Sequence, residues 1–281
     1  MSSPLPQRPM AALTHLALEA VAQFALQHLA DGAAGVWGNA MTIHEDGSRP
    51  EPRLMIALQI FVVVGLIDLL APLLSPAATV GATWPIKALQ LGRMAAAVAL
   101  ATWFLRLRGL RWRDVGFTRP KWLRLLWGVP VGFAMTGVLV AAINLALHAA
   151  GAPAADYSMF RPLKGNLAEY LFWAIGMTIF AAAFGEELIF RGFVRDGLYR
   201  LFGGRGMIAL WASLLGQAVL FGLPHLYQGW SGAATAGTIG FSFGVIWLMM
   251  GRNLWAGIVL HAIFDLSSMT VFYLSGGPPG H

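Results

Sequence analysis

A chain of 281 residues that is 57% hydrophobic and only 11% charged cannot cover a water-facing surface, since soluble domains carry about 25% charged residues. The formal net charge of +6 does not signal nucleic acid, because the basic residues gather in short loops between apolar runs, the pattern that orients a membrane protein. Cysteine is absent, which excludes disulfides, thiolate ligands and cysteine nucleophiles.

Residues 1–53 are the most polar section. Ala11 to Ala30 alternates Leu13, Leu16, Leu18, Val21, Phe24 and Leu26 with His15, Glu19, Gln23, Gln27 and His28, which predicts an amphipathic interfacial helix. Asp31 to Arg53 reads as a loop. The N-terminus shows no signal-peptide pattern, so the spanning helices themselves are expected to direct insertion.

From residue 54 to 281 the chain reads as one transmembrane domain. The first span is Leu54–Leu74, closed by Ser75-Pro76, and the second is about Leu89–Leu105. Arg106, Arg108, Arg111, Arg113, Arg119, Lys121 and Arg124 follow, opposed only by Asp114; this cluster is expected in the cytoplasm. The third span is about Leu125–Leu147. The fourth, about Leu167–Phe184, leads into Gly185-Glu186-Glu187-Leu188-Ile189-Phe190-Arg191 and a second basic stretch with Arg195, Arg200 and Arg205. The last three spans are Met207–Leu223, Gly232–Met250 and Leu254–Leu274, with Arg252 between the final two. The fold class is thus all-α, a multi-pass bundle of about seven spans. Strict alternation from a cytoplasmic N-terminus places every basic region on the cytoplasmic side, as in a bacterial inner-membrane protein.

Ionisable groups in hydrocarbon are expensive and therefore candidates for function. Three constellations stand on or beside the apolar runs: Glu186-Glu187-x-x-x-Arg191, Phe221-x-x-x-His225 and His261-x-x-x-Asp265. Glu187 and Arg191 are four apart, so on a helix they share a face and can pair. Glu186 is rotated by about 100° from Glu187, which leaves it for chemistry. His261 and Asp265 share a face one turn apart. Taken singly, His225 divides evenly between a structural hydrogen bond and a function, Glu187–Arg191 is most simply a structural ion pair, and His261–Asp265 fits an orienting pair that locks a helix interface; taken together, a carboxylate and two imidazoles can activate water. Asp68 and Arg93 fall at similar depth in the first two spans and read as a helix-pinning salt bridge outside the site. His15, His28, His44, His148 and His281 fall in loops, termini or the amphipathic segment and are not counted in it. The 11 Trp residues read as interfacial anchors and packing.

The ordered set Glu-Glu-x-x-x-Arg, Phe-x-x-x-His, His-x-x-x-Asp resembles the CPBP family of CAAX prenyl proteases and bacteriocin-processing enzymes, often called Abi. The flanks Arg191-Gly192-Phe193, Asn253-Leu254-Trp255-Ala256-Gly257 and the upstream Trp112-Arg113-Asp114-Val115-Gly116-Phe117 are similar as well. The resemblance covers roughly 172–274. It implies an intramembrane endopeptidase acting on membrane-tethered substrates, CAAX-type prenylated ones among them. On that resemblance Glu186 is the catalytic glutamate, Glu187 and Arg191 support it, His225 holds the attacking water, and His261 and Asp265 form the final pair. The last position is often Asn in the family; here it is Asp265, which when ionised accepts hydrogen bonds only. Asp265 is therefore expected to orient His261 or touch a metal, with His261 as the donor.

Peptide hydrolysis needs water, a base and an electrophile. Glu186 suits the base, because a carboxylate withdrawn from water is a stronger base. The electrophile is either a zinc ion held by Glu186, His225 and His261 or a hydrogen-bond donor without metal. The sequence lacks the His-Glu-x-x-His spacing of a zinc protease, and the reading leans to Glu186. Two other classes stay open: a transporter or proton relay using the same four groups, and a non-catalytic scaffold or immunity protein. Neither inverted repeats nor loss of the acidic pair is present to favour them. Strict alternation also leaves a tension, since it sets Glu186 and His225 toward opposite faces of a ~30 Å core unless a helix shifts its bounds or Gly185–Leu201 dips back, with Gly185, Gly222 and Pro224 as break points.

Overall fold

The computed structural model describes residues 52–68 and 80–277, apart from the side chain of Asp68. The amphipathic helix at Ala11–Ala30 and the end of the first span, beyond Asp68, lie outside the described residues. Those described contain no strand. Lipid offers no partner for a backbone N–H or C=O, so an apolar chain satisfies these groups within its own segment.

The described residues form seven helices: α1 (Arg53–Asp68), α2 (Trp84–Leu107), α3 (Trp122–Ala149), α4 (Leu167–Leu201), α5 (Gly206–Gly222), α6 (Gly229–Met249) and α7 (Leu254–Ser275). Short 3₁₀ turns occur at Trp112–Val115, Ser158–Leu163 and Leu223–Gln228. Among the described residues, five helical runs are long and apolar enough to cross a membrane, with α5, its 3₁₀ turn and α6 counting as one continuous run of 44 residues. That run folds back on itself: α5 and α6 lie antiparallel, with Leu214 against Gly244 and Gly222 against Ala233. It therefore supplies two of the expected passages, and α1 is a shorter apolar helix.

The element ends follow local chemistry. Pro85 sits in the first turn of α2, where its missing N–H costs nothing. Asn253 caps α7, its side chain accepting from the Trp255 N–H at 2.9 Å, and Gly276 closes it in the left-handed region. Helix α5 gives way to its 3₁₀ turn at Gly222 and Pro224, two of the expected break points.

Helix α4 corrects the sequence reading. The fourth span does not end at Phe184; it runs unbroken for 35 residues to Leu201, Gly185 is no break, and nothing dips back. Arg195 and Arg200 lie on this helix rather than in a loop. Its middle, Phe172–Val194, is π-helical. Such a wide coil is rare and clusters at functional sites; because it turns less per residue, Glu186 and Glu187 sit closer together around the axis than α-helical spacing suggests.

The three basic stretches meet at one end of the bundle. The Leu254 N–H donates to the Gly116 carbonyl at 3.0 Å, Asn253 Nδ2 donates to Thr118 Oγ1 and the Arg119 carbonyl, and Arg124 Nη1 reaches the Met250 carbonyl. The Arg195 guanidinium lies 4.2 Å from the centre of the Trp247 ring. At the opposite end the segment from Ala150 to Asn166 folds over the helix tips. The Asp156 N–H donates to the Gln228 carbonyl, Ser231 Oγ donates to the Pro153 carbonyl, and the Gly165 N–H donates to the Tyr273 carbonyl. Phe160 and Leu163 of this segment pack with Phe172, Trp173, Met269 and Phe272.

Candidate active site

Because α4 continues to Leu201, α5 returns alongside its second half and brings the turn after Gly222 level with the acidic pair. Phe221 marks the meeting point. Its ring lies 5.1 Å from Phe190 of α4, 5.4 Å from His225 and 6.1 Å from His261 of α7. Glu186, His225, His261 and Asp265 line one cavity of about 290 Å³. The expected separation of Glu186 from His225 does not occur.

Glu187 and Arg191 form the expected ion pair, at 3.0 Å, with side chains 0% and 1% exposed. Arg191 is held between two aromatic faces, Phe221 at 4.3 Å and Phe243 at 5.3 Å, and donates to the Gly240 carbonyl at 3.3 Å. Stacking of this kind suits a weakly hydrated guanidinium away from water. Glu187 does more than meet Arg191: its Oε1 also accepts from His261 Nδ1 at 3.1 Å. Its Oε2 lies against Gly257, where a Cβ would come within 2.5 Å. Only a residue without a side chain lets α7 approach the carboxylate this closely.

The other ring nitrogen of His261, Nε2, lies 3.4 Å from Asp265 Oδ2 and 4.0 Å from Glu186 Oε2. Asp265 thus stands beside His261 as expected, and both nitrogens of that ring face carboxylates. Glu186 is the more open of the acidic pair, its side chain 22% exposed. His225 makes a different contact: Nδ1 lies 3.0 Å from the Phe221 carbonyl, an acceptor, which puts the ring proton on Nδ1 and leaves the lone pair on Nε2.

These donors do not make a ready metal site. Among the described residues no three His, Asp or Glu side chains are gathered at ligand spacing, and the nitrogens of His261 are already engaged. The arrangement of Glu186, His225 and His261 does not fit the zinc alternative.

The cavity wall holds groups that the motifs did not announce, including Tyr157, Tyr227, Gln228, Gln90 and Arg93. Tyr227 is two residues beyond His225, its ring stacked on the imidazole at 6.0 Å. Its hydroxyl accepts from Gln228 Nε2 at 2.9 Å, so its own proton is available to another acceptor. Burial raises the pKa of the Tyr157 hydroxyl in the covering segment. Tyr227 was within reach of the sequence as a polar ring next to His225; Tyr157, contributed by a distant loop, carried no such signal. Arg93 was set aside as a structural pin. It does donate to the Ile67 carbonyl, tying α2 to α1, yet it also lines the cavity. Its expected partner, the Asp68 side chain, lies outside the described residues.

Residues 168–267 match the family model described as type II CAAX prenyl endopeptidase Rce1-like. The match begins at the start of α4 and ends within α7, and it contains Glu186, Glu187, Arg191, His225, His261 and Asp265. No curated protein and no solved structure matches the chain. Through this segment, which holds Glu186, Glu187, Arg191, His225, His261 and Asp265, the chain is similar to the type II CAAX prenyl endopeptidase Rce1-like family.

Proposed function

We propose that the protein is an intramembrane endopeptidase in which Glu186 activates water against a peptide bond of a membrane-tethered substrate. One observation carries the reading: groups from α4, from the turn after α5 and from α7 face a single cavity large enough for a short peptide segment. Glu186, the more open carboxylate, takes the proton of the attacking water and passes it to the leaving amine as the C–N bond breaks. His225 Nε2, with its lone pair free, accepts the second hydrogen of that water and fixes its direction. Glu187, tied to Arg191 and His261, holds the ring of His261 in place, and Asp265 holds it from the other side.

The tetrahedral intermediate needs a donor, and its neighbours narrow the choice. Asp265 as a carboxylate is acceptor-only, the nitrogens of His261 face carboxylates, and His225 donates at Nδ1 to Phe221. Of the donors left on the cavity wall, the Tyr227 hydroxyl is the one stacked beside His225, with its proton available. It is the oxyanion donor in this reading. The apolar cavity wall would suit a lipid-modified or otherwise apolar peptide without demanding a prenyl group.

Glu186→Gln is the test. Purified protein in lipid, given a peptide with a farnesylated cysteine three residues from its C-terminus and the same peptide unmodified, should release the terminal tripeptide, and the variant should release none. The wild-type activity should persist in chelator. Normal cleavage by Glu186→Gln would end the assignment of the base, and full loss in chelator with recovery on adding zinc would replace the metal-free route.

A further inference from the structure

We infer that Gln217 is a positioning residue of the reaction, fixing the Arg191 guanidinium against Glu187 and, through Glu187, the ring of His261. The catalytic clause rests on the proteolytic reading above; the placement of Arg191 does not. Gln217 belongs to none of the three motifs. It lies on α5, eight residues before His225, in an otherwise apolar stretch.

Gln217 is 0% exposed. A buried amide costs free energy unless its hydrogens find acceptors. Here Nε2 donates to the Leu214 carbonyl of its own helix at 3.0 Å and to the Gly240 carbonyl of α6 at 2.9 Å. The Gly240 oxygen is also the atom to which Arg191 Nη2 donates, at 3.3 Å. One carbonyl of α6 thus takes a hydrogen bond from α4 and another from α5. Two glycines of α6 make the room. At Gly244 a Cβ would come within 3.1 Å of Gln217 Nε2, and at Gly240 one would come within 2.9 Å of Phe221 Cδ1.

Few contacts orient Arg191. The rings of Phe221 and Phe243 attract its guanidinium, but an aromatic face draws a cation toward its centre without fixing how the group is turned. The turn is set by the two ends, Nη1 paired with Glu187 Oε1 at 3.0 Å and Nη2 donating to the Gly240 carbonyl. Gln217 holds the second end by tying down its acceptor. Phe221 lies four residues along α5 from Gln217, on the same face, so the same bond keeps that ring against the guanidinium. Glu187 Oε1, which meets Arg191, is also the atom that accepts from His261 Nδ1 at 3.1 Å. The path runs from Gln217 through the Gly240 carbonyl, Arg191 and Glu187 to His261, and every side chain on it is buried. A bond lost from it is not replaced by one to bulk water.

Gln217→Met keeps the length of the side chain and removes its donors. In lipid nanodiscs, well below its unfolding midpoint, it should cleave the farnesylated peptide with kcat about tenfold lower, the scale of one buried hydrogen bond, and with KM little changed. The second readout is nuclear magnetic resonance of protein carrying isotope-labelled arginine, with the Arg191 signal identified by its loss in Arg191→Lys. Rotation about the Cζ–Nη bonds of Arg191 should be slow in the wild type and fast in Gln217→Met; a side chain that only fills space would leave it alone. Gly244→Ala, which crowds Gln217 without removing it, should speed the rotation to a lesser degree and carries the test if Gln217→Met does not fold. Fast rotation already in the wild type, or unchanged rotation in the variants that fold, overturns the placement. Faster rotation with wild-type kcat overturns the catalytic clause. Should the wild type cleave no peptide while the rotation responds as expected, the proteolytic reading falls and the placement of Arg191 by Gln217 stands.

Discussion

Among the site residues, neighbours in sequence divide the labour because their surroundings differ. Glu187 is sealed by Arg191, His261 and Gly257, whereas Glu186 opens to the cavity. Removing one charge of a buried pair leaves the other uncompensated, which costs about 3–5 kcal/mol. Glu187→Gln should therefore lower the midpoint of thermal unfolding in detergent as well as activity, whereas Glu186→Gln should lower activity alone; differential scanning fluorimetry beside the peptide assay separates them. Tyr227→Phe removes a donor and keeps the ring. Its kcat should fall by about 10²–10³-fold, as for loss of one oxyanion donor, with KM little changed. Asp265→Asn restores an N–H near the same position, so the double variant Tyr227→Phe with Asp265→Asn should recover part of the lost kcat. An unaltered kcat in Tyr227→Phe would remove that side chain from the mechanism.

The elements owe their arrangement to close backbone approach. In lipid, helices gain little from the hydrophobic effect and associate through packing, so small residues mark the contacts. At Gly222 a Cβ would lie 2.6 Å from the Ala233 carbonyl oxygen, a backbone atom that cannot swing aside. Gly222→Ala should separate α5 from α6 and displace His225, lowering both the unfolding midpoint and kcat. At Gly257 the obstacle is the Glu187 carboxylate instead, so Gly257→Ala should disturb the Glu187–His261 contact with a smaller loss of thermal stability than Gly222→Ala. Equal behaviour of the two in the melt and the assay would contradict this distinction. The unbroken α4 belongs to the same scale: it was read as ending at Phe184 because acidic and basic residues begin there, yet Arg191 and Glu187 neutralise each other, and Arg195 rests on Trp247. The spacing announced the Glu187–Arg191 pair, but a charge count along the chain misses the support that Arg195 takes from Trp247 on another helix.

For the whole molecule, the two ends have different characters, one basic, the other covered by the segment that bears Tyr157 and Phe160. The covered end has its own buried pin, Lys87 of α2 bonded to Glu169 of α4 beneath Trp84 and Phe172. Breaking it with Lys87→Met alone should destabilise the protein more than replacing both, Lys87→Met with Glu169→Leu, because only the single variant strands a charge; thermal unfolding of the three proteins decides it. How much of this was legible beforehand follows from the range of the forces. Helices in lipid satisfy their hydrogen bonds locally, so composition and run length sufficed for an all-α membrane bundle, and the order of the three motifs named the groups that share the cavity. Local pattern separated α5 from α6 at Gly222 and Pro224, but it could not say that α4 runs past its charges, that His261 is gripped from both sides, or that Tyr227, Tyr157 and Arg93 join the wall. Those features depend on which faces meet across more than a hundred residues of chain, and only packing in three dimensions decides that.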